Sequence, residues 1–257
     1  MPRRVTGPPL VRYLSKCGAA TRNGARELVR AGRVTLNGAV CTDGAVRVDP
    51  ARDAVLVDGT PVRLDEARRG FVWLALNKPR GVVSTTNDPE GRATVLDLVP
   101  PPHAPGLAPV GRLDRASAGL LLLTNDTEGA ARLLDPAQRV PRTYRVKVRG
   151  VPGDATLARW RTEPLETDGL VLAPMQVEVA SVAARSAWLT ITLLEGRNRE
   201  IRRRCEAEGH EVLVLLRTSF GPVALGDLAP GALRPLTSRE LAALGGAAPG
   251  RRPRASM

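Results

Sequence analysis

The sequence is poor in the residues that metal centres, disulfide frameworks and membrane spans require. Its 257 residues include three widely spaced cysteines, without a Cys-x-x-Cys pair, and two histidines. This argues against a disulfide framework and a four-thiolate zinc site, and a metal centre would depend mainly on carboxylates. No apolar run approaches the roughly 20 residues of a bilayer span, and the N-terminus lacks the apolar core of a secretory signal. We therefore expect a soluble, cytoplasmic protein without a metal ion.

Aromatic residues are also scarce, whereas positive charge is abundant. Aromatics make up 3% of the chain, which argues against broad single-strand binding by stacking on rows of rings. Lys and Arg number 38 against 26 Asp and Glu, for a net charge of +12. A GC-rich genome would explain the preference for Arg over Lys, but not the excess of cations over anions. Nucleic acid is therefore the expected partner.

The first 67 residues carry signals for two helices and two hairpins. Leu10, Leu14 and Cys17 recur at helical spacing. Asn37-Gly38 and Asp58-Gly59 are dipeptides that favour tight hairpin turns. A second helix, which Thr21 can cap and Gly32 ends, carries arginines on one flank. These are Arg22, Arg26 and Arg30. Taken alone, this flank could equally be an ordinary solvated helix face.

Residues 9–67 resemble the small alpha-L (S4-like) RNA-binding domain, which occurs in a ribosomal protein and in several RNA-modifying enzymes. The matching positions are Lys16, Gly18, Ala20-Thr21-Arg22, Ala25, Gly32-Arg33-Val34 and Asn37-Gly38. The resemblance implies contacts with the phosphates of structured RNA, which position a protein without reading sequence. The residues assigned to RNA binding on this basis are Lys16, Thr21, Arg22, Arg26, Arg33 and Asn37.

A second domain is predicted over residues 70–244. It opens with the apolar run 71–76, which predicts a strand buried on both faces at the centre of a sheet. Further strands are expected near 119–124, 144–148, 170–179, 187–194 and 212–216, and helices near 127–134, 153–161 and 198–208. Because strands outnumber helices and often follow one another, the pattern predicts an α+β domain around a mostly antiparallel sheet. Residues 245–257 have the composition of a disordered basic tail.

Three features of this domain could support chemistry. Asp114 lies in a predicted loop before a buried strand, a rigid position from which a carboxylate can face a cleft. Tyr144 alternates with Arg on a predicted strand, and residues 197–204 hold five Arg in eight positions. Each has an ordinary structural alternative: a turn aspartate, a half-buried packing tyrosine and a solvated basic helix.

Together these features resemble the bacterial ribosomal-RNA pseudouridine synthases from about residue 9 to 244. The matching segments, in order, are Asn77 to Thr85, Asn87 to Arg92, Gly111-Arg112-Leu113-Asp114, Gly119 to Asp126, Thr143-Tyr144, Glu195 to Arg203, Gly209 to Val212 and Pro235-Leu236-Thr237. Residues 87–92 and 195–200 look most like the enzymes that act on large-subunit RNA, with the small-subunit enzyme as the nearest competitor. Three positions depart from the family pattern, in which basic residues are common there: Asp135, Val214 and Ser219. These departures concern which RNA site is bound and do not affect the predicted catalytic residues.

The resemblance implies isomerisation of a uridine in ribosomal RNA to pseudouridine, without a nucleotide or other cofactor. It assigns Asp114 as the catalytic carboxylate, Arg202 as its basic partner and Tyr144 as the ring that stacks on the target base. Leu113 and Ile201 would wall the pocket. The neighbouring arginines would contact RNA: Arg112, Arg115, Arg197 and Arg199. Two other functions stay open, a ribosome-assembly factor that binds RNA without modifying it and a metal-dependent RNA hydrolase. Nothing in the sequence demands more than a monomer.

Overall fold

The computed structural model describes residues 7–20, 22–63, 71–101, 106–167 and 169–245. Within these ranges the chain forms six α-helices and fifteen strands, so the predicted α+β class is confirmed. None of the helices in the described ranges has the length and apolar character needed to cross a membrane. Residues 246–257, which belong to the predicted disordered tail, lie outside the described part of the chain.

The N-terminal unit packs two helices on a four-stranded sheet. Its elements are α1 (Leu10–Lys16), α2 (Arg22–Arg30), β1 (Val34–Leu36), β2 (Ala39–Val40), β3 (Val55–Val57) and β4 (Thr60–Pro61). The strand order is β2-β1-β3-β4. Both predicted turns have their first central residue at positive φ, 53° at Asn37 and 49° at Asp58. Leu10, Leu14 and Val29 belong to a hydrophobic core formed by this unit's own residues.

The larger unit is built around a nine-stranded sheet. Its strands are β5 (Trp73–Lys78), β6 (Ala108–Pro109), β7 (Ala118–Thr124), β8 (Arg142–Arg149), β11 (Gln176–Ala183), β12 (Ser186–Leu193), β13 (Val212–Phe220), β14 (Val223–Ala224) and β15 (Leu233–Pro235). The main order is β11-β12-β8-β13-β7-β5-β15, and only β13 and β7 pair in parallel. A separate hairpin consists of β9 (Leu165–Thr167) and β10 (Leu170–Leu172). The mostly antiparallel sheet is thus confirmed.

Four helices accompany this sheet. They are α3 (Thr127–Leu134), α4 (Asp154–Thr162), α5 (Glu200–Ala207) and α6 (Ser238–Ala243). Leu133 of α3 and Leu241 of α6 share a hydrophobic core with Trp73 of β5, whereas Ile201 of α5 and Trp160 of α4 belong to a second core. The sheet therefore has two apolar clusters to bury, and its helices contribute to both.

Two strand predictions need correction. β5 neighbours the edge strand β15 and is not at the centre of the sheet; it is buried because helical residues join Trp73 and Ala75 in one core. The predicted strand 170–179 is divided between β10 and β11. Pro174 lies in the gap, and because proline has no N–H to donate, it interrupts the ladder there.

A single row of paired residues leads to the candidate site. Gly119 of β7 is opposite Arg217 of β13, which is opposite Tyr144 of β8, and Tyr144 is in turn opposite Ile191 of β12. The start of β7 therefore lies at the same level as Tyr144. The loop that precedes β7 contains Asp114, so the sheet brings this loop and Tyr144 to one region.

The close approach of β7 to β13 requires a glycine at position 119. Gly119 has φ of 106°, and an added Cβ would lie 2.3 Å from the carbonyl oxygen of Arg217 and 2.6 Å from its nitrogen. Both atoms belong to the backbone, so relief would require the strands to separate. We expect Gly119→Ala to lower the free energy of unfolding by about 3 kcal/mol, measured by urea denaturation.

Gly153→Ala is the matched control for this prediction. Gly153 has φ of −76° and no heavy atom within 4 Å of an added Cβ, so its substitution should change stability little. Equal stability of the two variants would contradict the proposed close packing of β7 against β13.

Candidate active site

The loop that carries Asp114 is fixed by a serine from another segment. Asp114 is half-buried between β6 and β7. The Ser84 hydroxyl donates to the carbonyl of Leu113 at 2.8 Å and accepts from the N–H of Leu113 at 3.1 Å. On the other side, the N–H of Ser117 donates to the carbonyl of Asp114 at 3.0 Å. The backbone is therefore fixed on both sides of the Asp114 side chain.

A buried lysine anchors the far end of the same loop. Lys78 is 0% exposed, and its Nζ donates to the carbonyls of Pro79 at 2.8 Å and Ser117 at 2.9 Å. Burial lowers the pKa of Lys78 to about 8, while the charge of Asp114 acts in the opposite direction. Lys78 thus holds the loop and places a positive charge within electrostatic reach of Asp114.

This loop opens onto a pocket with a volume of about 320 Å³. Seven of the residues predicted for the site line it. Leu113, Tyr144 and Ile201 are buried and Asp114 is half-buried, whereas the three arginines are exposed: Arg112, Arg197 and Arg199. Arg115 is exposed, does not line the pocket, and donates to the carbonyl of Gly81 at 3.3 Å. In the described ranges no group of three or more His, Cys, Asp or Glu side chains is arranged to hold a metal ion.

Arg202 lies on α5 and does not line the pocket. It is 7% exposed, and its Nη1 donates to the carbonyl of Val212 at 3.0 Å. Its Nε has no hydrogen-bond partner among the described residues. Burial lowers the pKa of Arg202, and Arg199 adds to this effect, whereas Asp114 opposes it. In the described part of the chain no ion pair within 4.0 Å joins Arg202 to Asp114, so their direct pairing stays a prediction.

Two further buried arginines line the pocket and were not predicted as site residues. Arg142 and Arg217 are 8% and 3% exposed. Their guanidinium carbons lie 5.0 and 5.4 Å from the centre of the Phe220 ring, within cation–π range. Neither forms an ion pair within the described ranges. Both lie just outside the strands predicted near 144–148 and 212–216. The one available signal was that Arg142 is two residues from Tyr144 and therefore shares its face of the strand.

Two acidic residues of the pocket were also missed. Glu195 and Glu200 line it, and Glu200 is 3% exposed. Burial and the nearby Glu195 charge raise the pKa of Glu200 to about 7. A glutamate at the start of an Arg-rich helix is typical of a solvated counter-ion, so nothing in the sequence indicated its burial.

The predicted RNA-binding residues of the N-terminal unit differ in their surroundings. Arg22 and Arg26 are exposed on α2. Arg33 is also exposed but is paired with Asp58, its Nε donating at 2.9 Å. The Asn37 side chain donates to Asp53 and accepts from the N–H of Ala54, two residues that directly precede β3. Lys16 pairs with Glu128. Thr21 lies outside the described residues.

Comparison with known proteins agrees with this architecture. Residues 72–207 match the RNA pseudouridylate synthase family, and residues 9–53 match the S4 domain. An uncharacterized RNA pseudouridine synthase of Mycobacterium bovis is 40% identical over 245 residues, which are 94% of each chain. Ribosomal large subunit pseudouridine synthase B of Bacillus subtilis is 36% identical over 235 residues, 90% of this chain and 93% of the relative.

A solved structure is similar over nearly the whole chain. It is a crystal structure of a pseudouridylate synthase, with a TM-score of 0.66 and 26% identity, covering 93% of this chain and 100% of that one. The chain therefore belongs to the RNA pseudouridylate synthase family. It is an RNA pseudouridine synthase with an N-terminal S4 domain, as the sequence motifs predicted.

The two bonds from Ser84 to Leu113 give a direct test of the loop's attachment. Ser84→Ala removes both and leaves a backbone N–H and carbonyl without partners in a partly buried place. We expect the free energy of unfolding to fall by about 1.5 kcal/mol in urea denaturation. Thr85→Ala is the control, because the Thr85 hydroxyl also donates to a carbonyl and accepts from an N–H, both of Asn87, but within an exposed turn. An equal effect of the two substitutions would contradict the special role of Ser84.

Proposed function

We propose that this enzyme isomerises a uridine of large-subunit ribosomal RNA, with Asp114 as the catalytic carboxylate. In this reaction the bond from N1 of uracil to C1′ of ribose breaks, and a bond from C5 to C1′ forms. C5 loses its proton and N1, which carries none in uridine, gains one, so nothing is oxidised or transferred from a second substrate. The observation that carries the proposal is the pocket of about 320 Å³, in which the half-buried Asp114 lies with the buried Tyr144.

Asp114 can promote the isomerisation by attacking the sugar, attacking the base or removing a sugar proton. All three routes require the ionised carboxylate. Positive charge near a partly buried carboxylate favours that form, and Lys78 and Arg202 both interact electrostatically with Asp114. We therefore assign both cations a part in keeping Asp114 charged when RNA covers the pocket.

Tyr144, Leu113 and Ile201 would hold the target base. All three are buried and line the pocket. An aromatic ring stacks on any base, because every base has a π-face, and this is worth about 1–3 kcal/mol. The aliphatic side chains of Leu113 and Ile201 would complete an apolar wall that excludes water. Tyr144 is also available to assist a late proton transfer.

A uridine in folded RNA must leave its stack to enter this pocket, at a cost of a few kcal/mol. Phosphate contacts can offset this cost. We assign such contacts to the exposed Arg112, Arg197 and Arg199 at the pocket and to Arg115 beside it.

The N-terminal residues 9–67 would bind RNA structure as the S4 domain, and residues 70–244 would catalyse. Arg22 and Arg26 are the best placed for phosphate contacts, because Lys16 and Arg33 are already paired with carboxylates. Arg26 donates to the neutral amide oxygen of Asn23 at 3.0 Å, and the Asn37 side chain is bonded to Asp53. The choice of large-subunit RNA follows relatives that are named ribosomal large subunit pseudouridine synthases, such as the Bacillus subtilis enzyme. A ribosomal substrate agrees with the expected cytoplasmic location. We also expect the protein to act as a monomer.

Asp114→Asn tests the proposal directly. The amide has nearly the shape of the carboxylate but neither its charge nor its nucleophilicity, so pseudouridine formation should fall at least ~1000-fold while RNA binding persists. Pseudouridine would be mapped in large- and small-subunit RNA from a deletion strain complemented with each form. Asp227→Asn, at an exposed position, is the control. Restoration of the modification by Asp114→Asn would remove Asp114 from catalysis.

The exposed arginines of α2 give a second test. We expect Arg22→Ala combined with Arg26→Ala to weaken binding to large-subunit RNA by about tenfold and to reduce the salt dependence of Kd by about two counterions. The turnover rate at saturating RNA should not change. Arg149→Ala is the control, since Arg149 is already paired with Glu211. Unchanged affinity of the double variant would contradict RNA binding by this helix face.

A further inference from the structure

The turn between β12 and α5 carries two of the arginines at the pocket. Arg197 and Arg199 are both exposed, and both line the pocket. Arg199 has φ of 51°, a conformation that is strained for a non-glycine residue, and its side chain makes no cap for α5. The turn must therefore be held in place by other groups.

The carboxyl groups of Glu195 and Glu200 form hydrogen bonds that stabilise this turn. Glu195 accepts from the N–H of Ala173 at 3.0 Å and from Nε of Arg197 at 2.9 Å. Glu200 accepts from the N–H of Arg197 through Oε2 at 3.2 Å. Both carboxyl groups thus contact Arg197, and the negative charge of Glu195 is near enough to act on Glu200.

A hydrogen bond between two carboxyl groups requires a proton, because ionised carboxylates only accept. Glu200 is the better place for such a proton, since it is 3% exposed and its Oε1 is buried with no hydrogen-bond partner among the described residues. A proton on Oε1 would let it donate to the neighbouring Glu195. Burial, followed by the charge of Glu195, raises the pKa of Glu200 to about 7. Burial also acts to raise the pKa of Glu195, but its bonds from Ala173 and Arg197 outweigh this and keep the pKa low.

The charges around Glu200 come from three elements. Glu195 and Arg197 belong to the turn, Arg204 lies further along α5, and Arg142 lies on β8. Arg204 favours the ionised form of Glu200. Its guanidinium is already committed to the carbonyls of Glu163, Leu172 and Ala173, at 3.0, 2.9 and 2.9 Å. Nε of Arg204 is buried without a hydrogen-bond partner among the described residues, and no ion pair within 4.0 Å joins Arg204 to Glu200 there.

We propose that Glu200 is a positioning residue, whose proton bonds it to Glu195 and so fixes the turn that presents Arg197 and Arg199 to the RNA. The proposal rests on the proposed function of the pocket. When the proton is lost, two adjacent carboxylates repel each other and the turn loosens. RNA is then held less firmly, although Asp114 and Tyr144 are unchanged.

The proposal is tested by comparing full-length wild type with Glu200→Gln from pH 6 to 8.5. The readouts are Kd for a large-subunit RNA transcript, and KM and kcat for pseudouridine formation. For the wild type we expect Kd and KM to rise about tenfold as the pH passes about 7, with a smaller change in kcat. A glutamine amide donates to Glu195 at every pH, so the variant should lack the change near pH 7 and keep the low-pH Kd of the wild type through it. A change near pH 8, where Lys78 titrates, is common to both proteins. Identical profiles for the two proteins would overturn the proposal.

Two further variants distinguish the proton of Glu200 from the other groups that titrate in this pH range. Glu211→Gln, at an exposed ion pair with Arg149, should keep the wild-type profile. Glu195→Gln removes the neighbouring charge and should move the change in Kd to lower pH. A Glu195→Gln profile with the wild-type midpoint would contradict the shared proton.

Protein stability gives a readout that does not depend on RNA. Glu200 keeps its proton in the folded chain up to about pH 7 but loses it near the ordinary value of 4.5 when unfolded. The folding equilibrium constant of the wild type should therefore decrease relative to Glu200→Gln by up to tenfold per pH unit between these values, and stay level above them. A constant ratio would overturn the proposal. If RNA binds but no pseudouridine forms, the proposed function fails while Kd and stability still decide the role of Glu200.

Discussion

The loop around Asp114 is attached to the segment 78–84, and the rest of the pocket depends on this attachment. Ser84 bonds the residue before Asp114, and Lys78 bonds Ser117 at the end of the loop. The Lys78 ammonium is 0% exposed and is close enough to Asp114 for each charge to affect the other. The segment 78–84 therefore fixes the backbone of the Asp114 loop and also supplies a positive charge near the carboxylate. The Asp114 side chain is thus oriented before RNA binds.

The pocket carries more buried positive charge than the chain itself neutralises. Arg142, Arg202 and Arg217 are each less than 9% exposed, and none forms an ion pair within the described ranges. Their guanidinium groups donate mainly to backbone carbonyls or lie against Phe220. Uncompensated cations of this kind attract a polyanion. RNA phosphates would complete the charge balance, and the protonated Glu200 avoids adding another negative charge where RNA must approach.

Local signals predicted much of this architecture. Helical spacing predicted α1 and α2, and Asn37 and Asp58 marked the hairpin turns. The motifs around Asp114, Tyr144 and Arg202 predicted the family. The roles of Ser84 and Glu200 were not predictable, because each depends on the tertiary fold. Ser84 bonds a residue 29 positions away, and Glu200 is buried although it lies in an Arg-rich segment. Pro174 could have indicated that the predicted strand 170–179 is divided, but the apolar residues around it favoured a continuous strand.

The most direct test of the central claim is a structure of the Asp114→Asn variant bound to an unmodified RNA substrate. The account predicts a flipped uridine whose base stacks on Tyr144 and whose ribose C1′ lies within about 4 Å of the side chain at position 114. It also predicts that the RNA phosphates meet the arginines around the pocket. A bound RNA whose target uridine lies outside this pocket would contradict the account, since Asp114 could not then reach the bond that is broken.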